Sequence, residues 1–159
     1  MSTPPSMSFE PLTPTAFLKR SAEVFGDRVA VIDGDLQYTY AEFYRRARQL
    51  AGALRAIGVS GGARAAILAP NTHVLLEAHY GVPLAGAVLV ALNQRLTASD
   101  LAYAIRHSDA KVLIYDHEFE TVALDIARGL PRLDALRVRV ARESQGQDHN
   151  HTHASGDSR

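Results

Sequence analysis

From Ala78 to Gln94 the chain reads AHYGVPLAGAVLVALNQ, without one charged residue, and this run limits what can be built around it. A membrane-spanning helix needs about 20 mostly apolar residues. The run is close to the lower limit and contains His79, Gly81, Pro83 and Gly86 among many small side chains. Two buried elements joined by a short turn fit it better than one span, and no transmembrane segment is expected. Pro83 removes a helical hydrogen bond and crowds the carbonyl of His79, so a bend is expected there. Val88 to Leu92 then reads as a short apolar strand, of the kind that suits a parallel sheet covered on both faces.

The flanking sequence alternates in the same way. Thr13 is a helix N-cap with Pro14 at the first helical position, and Phe17, Leu18, Ser21, Ala22 and Phe25 follow at helical spacing. Gly26 is expected to end that helix in a left-handed conformation. Val29–Ile32 and Leu36–Thr39 read as a hairpin turned by Asp33-Gly34. Thr39 and Glu42 form a capping box, and Phe43, Ala47, Leu50, Leu54 and Ile57 share one helical face. Arg45, Arg46, Arg48 and Arg55 lie mostly off that face and read as a solvated surface. Ala63–Ala69 is a strand, and Asn71 or Thr72 caps a helix through Leu75, His79 and Val82. A helix from Thr97, a strand over Lys111–Tyr115, a helix with Phe119, Val122, Ala123 and Ile126, and a strand over Leu136–Val140 complete the series. Helix, hairpin, then repeated helix–strand units predict an α/β fold: a mainly parallel sheet with flanking helices and an N-terminal β-hairpin.

Composition narrows the partners. The 159 residues contain no cysteine, so disulfides, thiolate metal sites and a thiol nucleophile are excluded. Lys plus Arg and Asp plus Glu balance at 17 each, which gives no electrostatic case for nucleic acid. A cytoplasmic protein is expected. Residues 1–11, rich in proline, read as an extended lead-in, residues 12–140 as the folded part, and residues 141–159 as a disordered polar tail.

The sites the residues suggest are weak. Gly58-Val59-Ser60-Gly61-Gly62 stands after a helix and before a strand, the reverse of a phosphate loop, and no Lys follows it; it reads as a helix stop and turn. Asp116 at a strand end reads as a cap for the next helix. His79 and His107 lie in helical patterns and read as packing or surface histidines. His149, His151 and His153 alternate in the polar tail, where ordering entropy opposes metal binding.

The segments YTYAEF (38–43), LAPNT (68–72), EAHYGVPLAGAVLVALNQRL (77–96) and IRHSDAKVLIYD (105–116) come in an order that resembles the N-terminal part of ATP-dependent acyl-CoA synthetases. These belong to the adenylate-forming superfamily that includes luciferases and adenylation domains. The resemblance runs from about Leu12 to Val140 and implies an incomplete N-terminal domain of that fold. Its Glu-Ala-His-Tyr-Gly-Val-Pro variant resembles the branch acting on medium- and long-chain fatty or related carboxylic acids. It implies that the Gly-Val-Pro helix feeds a central strand, with Gly81, Ala85 and Gly86 allowing close helix–sheet packing. Asn93 and Arg95 then sit at the C-terminal strand end, where α/β folds place ligands; alternatively they hydrogen-bond the turn.

For the intact family the resemblance implies ATP, Mg²⁺ and CoA. A carboxylate attacks the α-phosphate of ATP, and the thiol of CoA displaces AMP from the acyl-adenylate. The Ser/Thr/Gly-rich phosphate loop ending in Lys-Gly, the aromatic-Thr-Glu motif, the ribose-binding Asp and the C-terminal lysine have no counterpart here, and no Lys follows Lys111. No catalytic, nucleotide or metal residue of the family carries onto a position of this chain. The expectation is an N-terminal fragment from a truncated or frameshifted frame, inactive alone. The alternative is a non-catalytic binding module that associates with the missing remainder or with itself.

Overall fold

The structure, a computed structural model, describes residues 12–59 and 61–138. The proposed lead-in, the polar tail with its three histidines, and the last two residues of the strand expected over 136–140 lie outside the described residues.

Helix α1 (Pro14–Val24) starts on Thr13, whose hydroxyl accepts from the backbone N–H of Ala16. It ends at Phe25, and Gly26 is not left-handed as expected. A Cβ at Gly26 would meet the carbonyl oxygen of Ala22 at 2.8 Å, so this glycine serves close approach instead. Strands β1 (Val29–Asp33) and β2 (Leu36–Thr39) form the antiparallel hairpin, closed by the pair Asp33–Leu36. The loop is therefore Gly34-Asp35, one residue later than expected, with Gly34 at φ +60°. Asp33 ends a strand, and its carboxylate is free for another use.

The Thr39–Glu42 capping box forms in full and opens α2 (Tyr40–Ala56). Phe43, Ala47, Ala51 and Leu54 are buried, while Ile57 is exposed. Strand β3 (Arg64–Leu68) lies at the centre of the main sheet, fully buried from Ala65 onward. Helix α3 (His73–Leu84) buries His73, Val74, Glu77, Ala78, Gly81 and Val82. The expected line through Leu75 and His79 is rotated out: Leu75 is half-buried and His79 exposed. Pro83 falls in the last helical turn, where only one residue follows it. Strand β4 (Val88–Ala91), α4 (Ala98–His107), β5 (Ala110–Asp116), a 3-10 turn (His117–Phe119), α5 (Glu120–Arg128) and β6 (Asp134–Val138) follow.

The main sheet is parallel, in the order β4-β3-β5-β6. Helices α2 and α3 cover one face, packing Leu54, Val74, Ala78 and Val82 on Ala65, Ile67, Val112 and Ile114. Helices α4 and α5 cover the other, where Leu101, Ile105, Ala123 and Ile126 meet Ala66, Leu68, Leu113 and Tyr115. Each such Val, Leu or Ile side chain contributes about 1.5–3 kcal/mol on full burial. The hairpin packs beside this sandwich on Leu18, Phe43 and Ala47. Gly81 serves helix–helix rather than helix–sheet packing: a Cβ there would meet Leu50 at 2.7 Å. Among the described residues strand β4 pairs only with β3, and Val88 is half exposed.

Candidate functional site

Parallel strands deliver their C-terminal ends to one side, and ligands in such folds bind there. On that side β3 runs into Ala69–Thr72, β4 into Leu92–Arg95, and β5 into Asp116–His117. Ala69, Asn71, Leu75, Leu92, Asn93, Gln94 and Arg95 line a recess of about 260 Å³. Asn93 and Arg95 are both exposed, and the side-chain carbonyl of Asn93 accepts from the backbone N–H of Arg95 at 3.0 Å. This Asx-type bond fixes the turn and holds Arg95 at the strand end. The Arg95 guanidinium has no ion pair among the described residues.

Asn71 and Leu75 also line a second recess of about 320 Å³, shared with Val31, Ile32, Asp33 and His73. Here Asp33 and His73 bond each other, while His73 Nε2 is buried without a hydrogen-bond partner among the described residues. The Asp33 carboxylate accepts from the backbone N–H of His73 at 2.9 Å and contacts His73 Nδ1 at 2.6 Å. Thr72, at the N-cap position of α3, makes no side-chain cap bond. Asp33, from the hairpin, caps the helix in its place. The His73 backbone N–H, then its imidazole, holds the Asp33 carboxyl below the ordinary aspartate value.

Beside it, Arg46 donates to Glu77 from α2 to α3. The Arg46 guanidinium also lies 4.7 Å from the centre of the Tyr38 ring, and Tyr38 lies 5.2 Å from the His73 ring. Burial works to lower the Arg46 pKa, but the hydrogen bond and charge of Glu77 outweigh it and the net direction is upward. Arg46 is thus no solvated surface residue. Glu77 itself is buried, and a carboxylate on a helix's apolar stripe needs a partner. That single charge at 77 was the signal in the sequence for this pair. Asp33 and His73 carried no such signal, being distant in the chain and ordinary in their local patterns.

The remaining candidates have local roles. Asp116 accepts from the backbone N–H of Glu118 at 3.1 Å and contacts His117 Nδ1 at 2.7 Å. His79 bonds the carbonyl of Leu75 at 2.8 Å, and His107 stacks on Tyr103. The glycines around 58–62 lie before β3, at the sheet's N-terminal side, where Gly62 N–H donates to the carbonyl of Gly86. They face away from the ends that carry Asn93 and Arg95. Among the described residues no group of three His, Cys, Asp or Glu is placed to hold a metal ion. Among the described residues the strand-end loops, those after β3, β4 and β5, offer one Arg and no glycine-rich cradle, and this described part does not by itself fit triphosphate or Mg²⁺. No helix among the described residues is long and apolar enough to cross a membrane.

The AMP-binding enzyme family matches residues 18–158, and the chain belongs to that family. The match reaches past Val140 into residues outside the described ones. Over 121 residues the chain is 43% identical to the peroxisomal acetate/butyrate–CoA ligase AAE7 of Arabidopsis thaliana, which covers 76% of this chain and 21% of that protein. It is 41% identical over 113 residues to the peroxisomal benzoate–CoA ligase of the same plant, 71% of this chain and 20% of that one. Among solved structures, a benzoate CoA ligase from Burkholderia xenovorans LB400 superposes with a TM-score of 0.72 at 30% identity, over 79% of this chain and 25% of that one. The chain therefore spans about a fifth of the length of the curated relatives it matches, and its part of them is the N-terminal one.

Proposed function

We propose that this chain is the N-terminal scaffold of an acid–CoA ligase that activates a fatty or related carboxylic acid as acyl-AMP and then as acyl-CoA. The family match over residues 18–158 carries this reading. ATP, Mg²⁺ and CoA belong to the intact ligase. The contribution of this chain is positional. Its sheet sets Asn93 and Arg95 at the strand-end rim, where a fixed turn and a single cation are suited to an anionic group of the substrate or of a neighbouring segment.

Two assays test the reading. The 159-residue chain alone is expected to give pyrophosphate exchange, with ATP and a carboxylic acid, at the level of a no-enzyme blank. A chimera in which this chain replaces the matching N-terminal 21% of the acetate/butyrate–CoA ligase is expected to form acyl-CoA. A folded chimera without acyl-AMP formation overturns the reading. A cytoplasmic location belongs to the same proposal. The two plant relatives are named as peroxisomal, and a fluorescent fusion of this chain distinguishes the compartments.

A second reading is a non-catalytic α/β module that associates with a partner chain. Among the described residues β4 pairs only with β3 and Val88 is half exposed, which favours it. A discrete complex in size-exclusion chromatography with light scattering supports it, and a monomer at every concentration opposes it.

A further inference from the structure

We propose that the recess between the hairpin and the start of α3 is a binding site for a small neutral hydroxyl compound, an alcohol or phenol whose O–H donates to His73 Nε2. This goes beyond the acid–CoA ligase reading and does not rest on it. The Asp33–His73 bond leaves one polar atom over. His73 is only 4% exposed, and its Nε2 is buried with no hydrogen-bond partner among the described residues. A buried acceptor without a donor carries its desolvation cost uncompensated, so such atoms in native structures are nearly always partnered. Both Asp33 and His73 line the recess, which holds about 320 Å³. An apolar cavity of about 150 Å³ already accommodates benzene, so a single-ring molecule fits here with room for its polar group.

The chemistry of the occupant follows from what Asp33 does. Its carboxylate accepts from the His73 backbone N–H at 2.9 Å and contacts Nδ1 at 2.6 Å. An ionised carboxylate only accepts, so Nδ1 carries the proton and Nε2 of the neutral ring presents a lone pair. The missing partner must therefore donate. An anion fails twice: it brings no proton, and Asp33 already places a negative charge at the positive end of α3. A carboxylic acid of the kind a ligase activates is ionised near neutral pH and fails with it. An ammonium group could donate, but it would carry its charge against apolar walls. Those walls are Val31, Ile32, Leu75 and Leu76, and they match the apolar body of an alcohol or phenol.

The test is titration of the isotope-labelled 159-residue chain with phenol, anisole and benzoate, read by NMR at the ring nitrogens of His73. The three probes share a ring and offer a donor, no donor and an anion. Phenol is expected to bind saturably, to shift the Nε2 resonance upfield, and to bind at least about fivefold more tightly than anisole. Benzoate is expected to leave that resonance in place. His73→Phe keeps a ring and the backbone N–H that Asp33 accepts, and is expected to bring phenol down to the anisole level. Leu76→Trp fills the recess from an exposed side chain outside the Asp33–His73 bonds, and is expected to abolish binding of both. It keeps the test standing if His73→Phe does not fold. The ligase chimera is titrated in the same way, because there the remainder of a ligase is in place. Equal affinity for phenol and anisole, an Nε2 resonance that phenol does not move, phenol binding retained in L76W, or binding to the chain that is lost in the folded chimera would each overturn the site. Phenol binding to the chain and to a folded chimera that forms no acyl-AMP supports the site and overturns only the ligase reading.

Discussion

The hairpin–α3 junction and the Asn93–Arg95 turn both present polar residues beside a recess, but they use them differently. At the junction Asp33, His73, Arg46 and Glu77 bond one another across three elements that the chain separates by up to 40 residues. At the turn Asn93 bonds a residue two positions away, and Arg95 bonds nothing through its side chain among the described residues. The first set holds the hairpin and α2 to α3. The second holds only itself, which leaves its cation available. This difference separates residues that maintain the fold from residues that can meet something outside it.

The comparison breaks most directly at Glu77. Glu77→Ala leaves Arg46 with three quarters of its side chain buried and no counter-charge. Removing one partner of a buried pair is strongly destabilising, and with Arg46 a quarter exposed the loss is expected to be about 2–3 kcal/mol. Urea unfolding should show the midpoint fall without a change in slope, and the double variant R46A/E77A should lose less than the sum of the singles. A loss below about 0.5 kcal/mol, the usual range for a surface residue, would make this junction equivalent to the turn.

Gly81→Ala comes next. The new Cβ would meet Leu50 Cδ2 at 2.7 Å and the Ala47 carbonyl oxygen at 3.0 Å, against α2 backbone as well as side chain. Overpacking of this kind costs about 1–3 kcal/mol. It is expected to lower thermal stability in proportion and to loosen the hydrogen-exchange protection of α2 and α3 together.

What the sequence made legible follows the distance over which each contact acts. The caps at Thr13, Thr39 and Thr97 were readable because each bonds a residue three positions ahead. The helix–strand order was readable because burial on a layered sheet imposes a local period. The cap of α3 was not, since Thr72 looks the part while Asp33 does the bonding from the hairpin. Gly26 and Gly81 fell between, since a glycine is visible in sequence but the atom it makes room for is not. The family itself was legible from its segments. The behaviour of Asn93 and Arg95 rests on what lies outside their own bonds, which no local pattern encodes.

Asp33→Asn tests the long-range cap. It removes the charge from two hydrogen bonds and from the positive end of the α3 dipole, at a cost of about 1–1.5 kcal/mol near neutral pH. The sign with pH is fixed by the direction of the shift. A carboxyl held below its ordinary value contributes stability that is fully present above its unfolded-state pKa, about 3.9, and lost as pH falls through its folded-state value. The wild type is therefore expected to lose this increment only below about pH 4, and D33N to differ from it at neutral pH but converge toward it in acid. A constant gap between the two down to acid unfolding would assign the stabilisation to something other than the ionised carboxylate.

Arg95→Ala carries the smallest stability effect and the sharpest functional one. The side chain is exposed and unpaired among the described residues, so its loss should change unfolding free energy by no more than about 0.5 kcal/mol. If the cation meets an anionic group at the strand-end rim, as proposed, the same variant in the ligase chimera loses a charge-assisted contact. Such contacts are worth about 1.5–3 kcal/mol, or at least about tenfold in kcat/KM. Arg95→Lys keeps the charge but not the planar fork, and should recover part of the loss. Asn93→Ala should resemble R95A in direction but not in size, because it frees the turn without deleting the cation. A chimera in which R95A keeps full kcat/KM would place Arg95 with the solvated surface, and the contrast between junction and turn would reduce to one between buried and exposed charge.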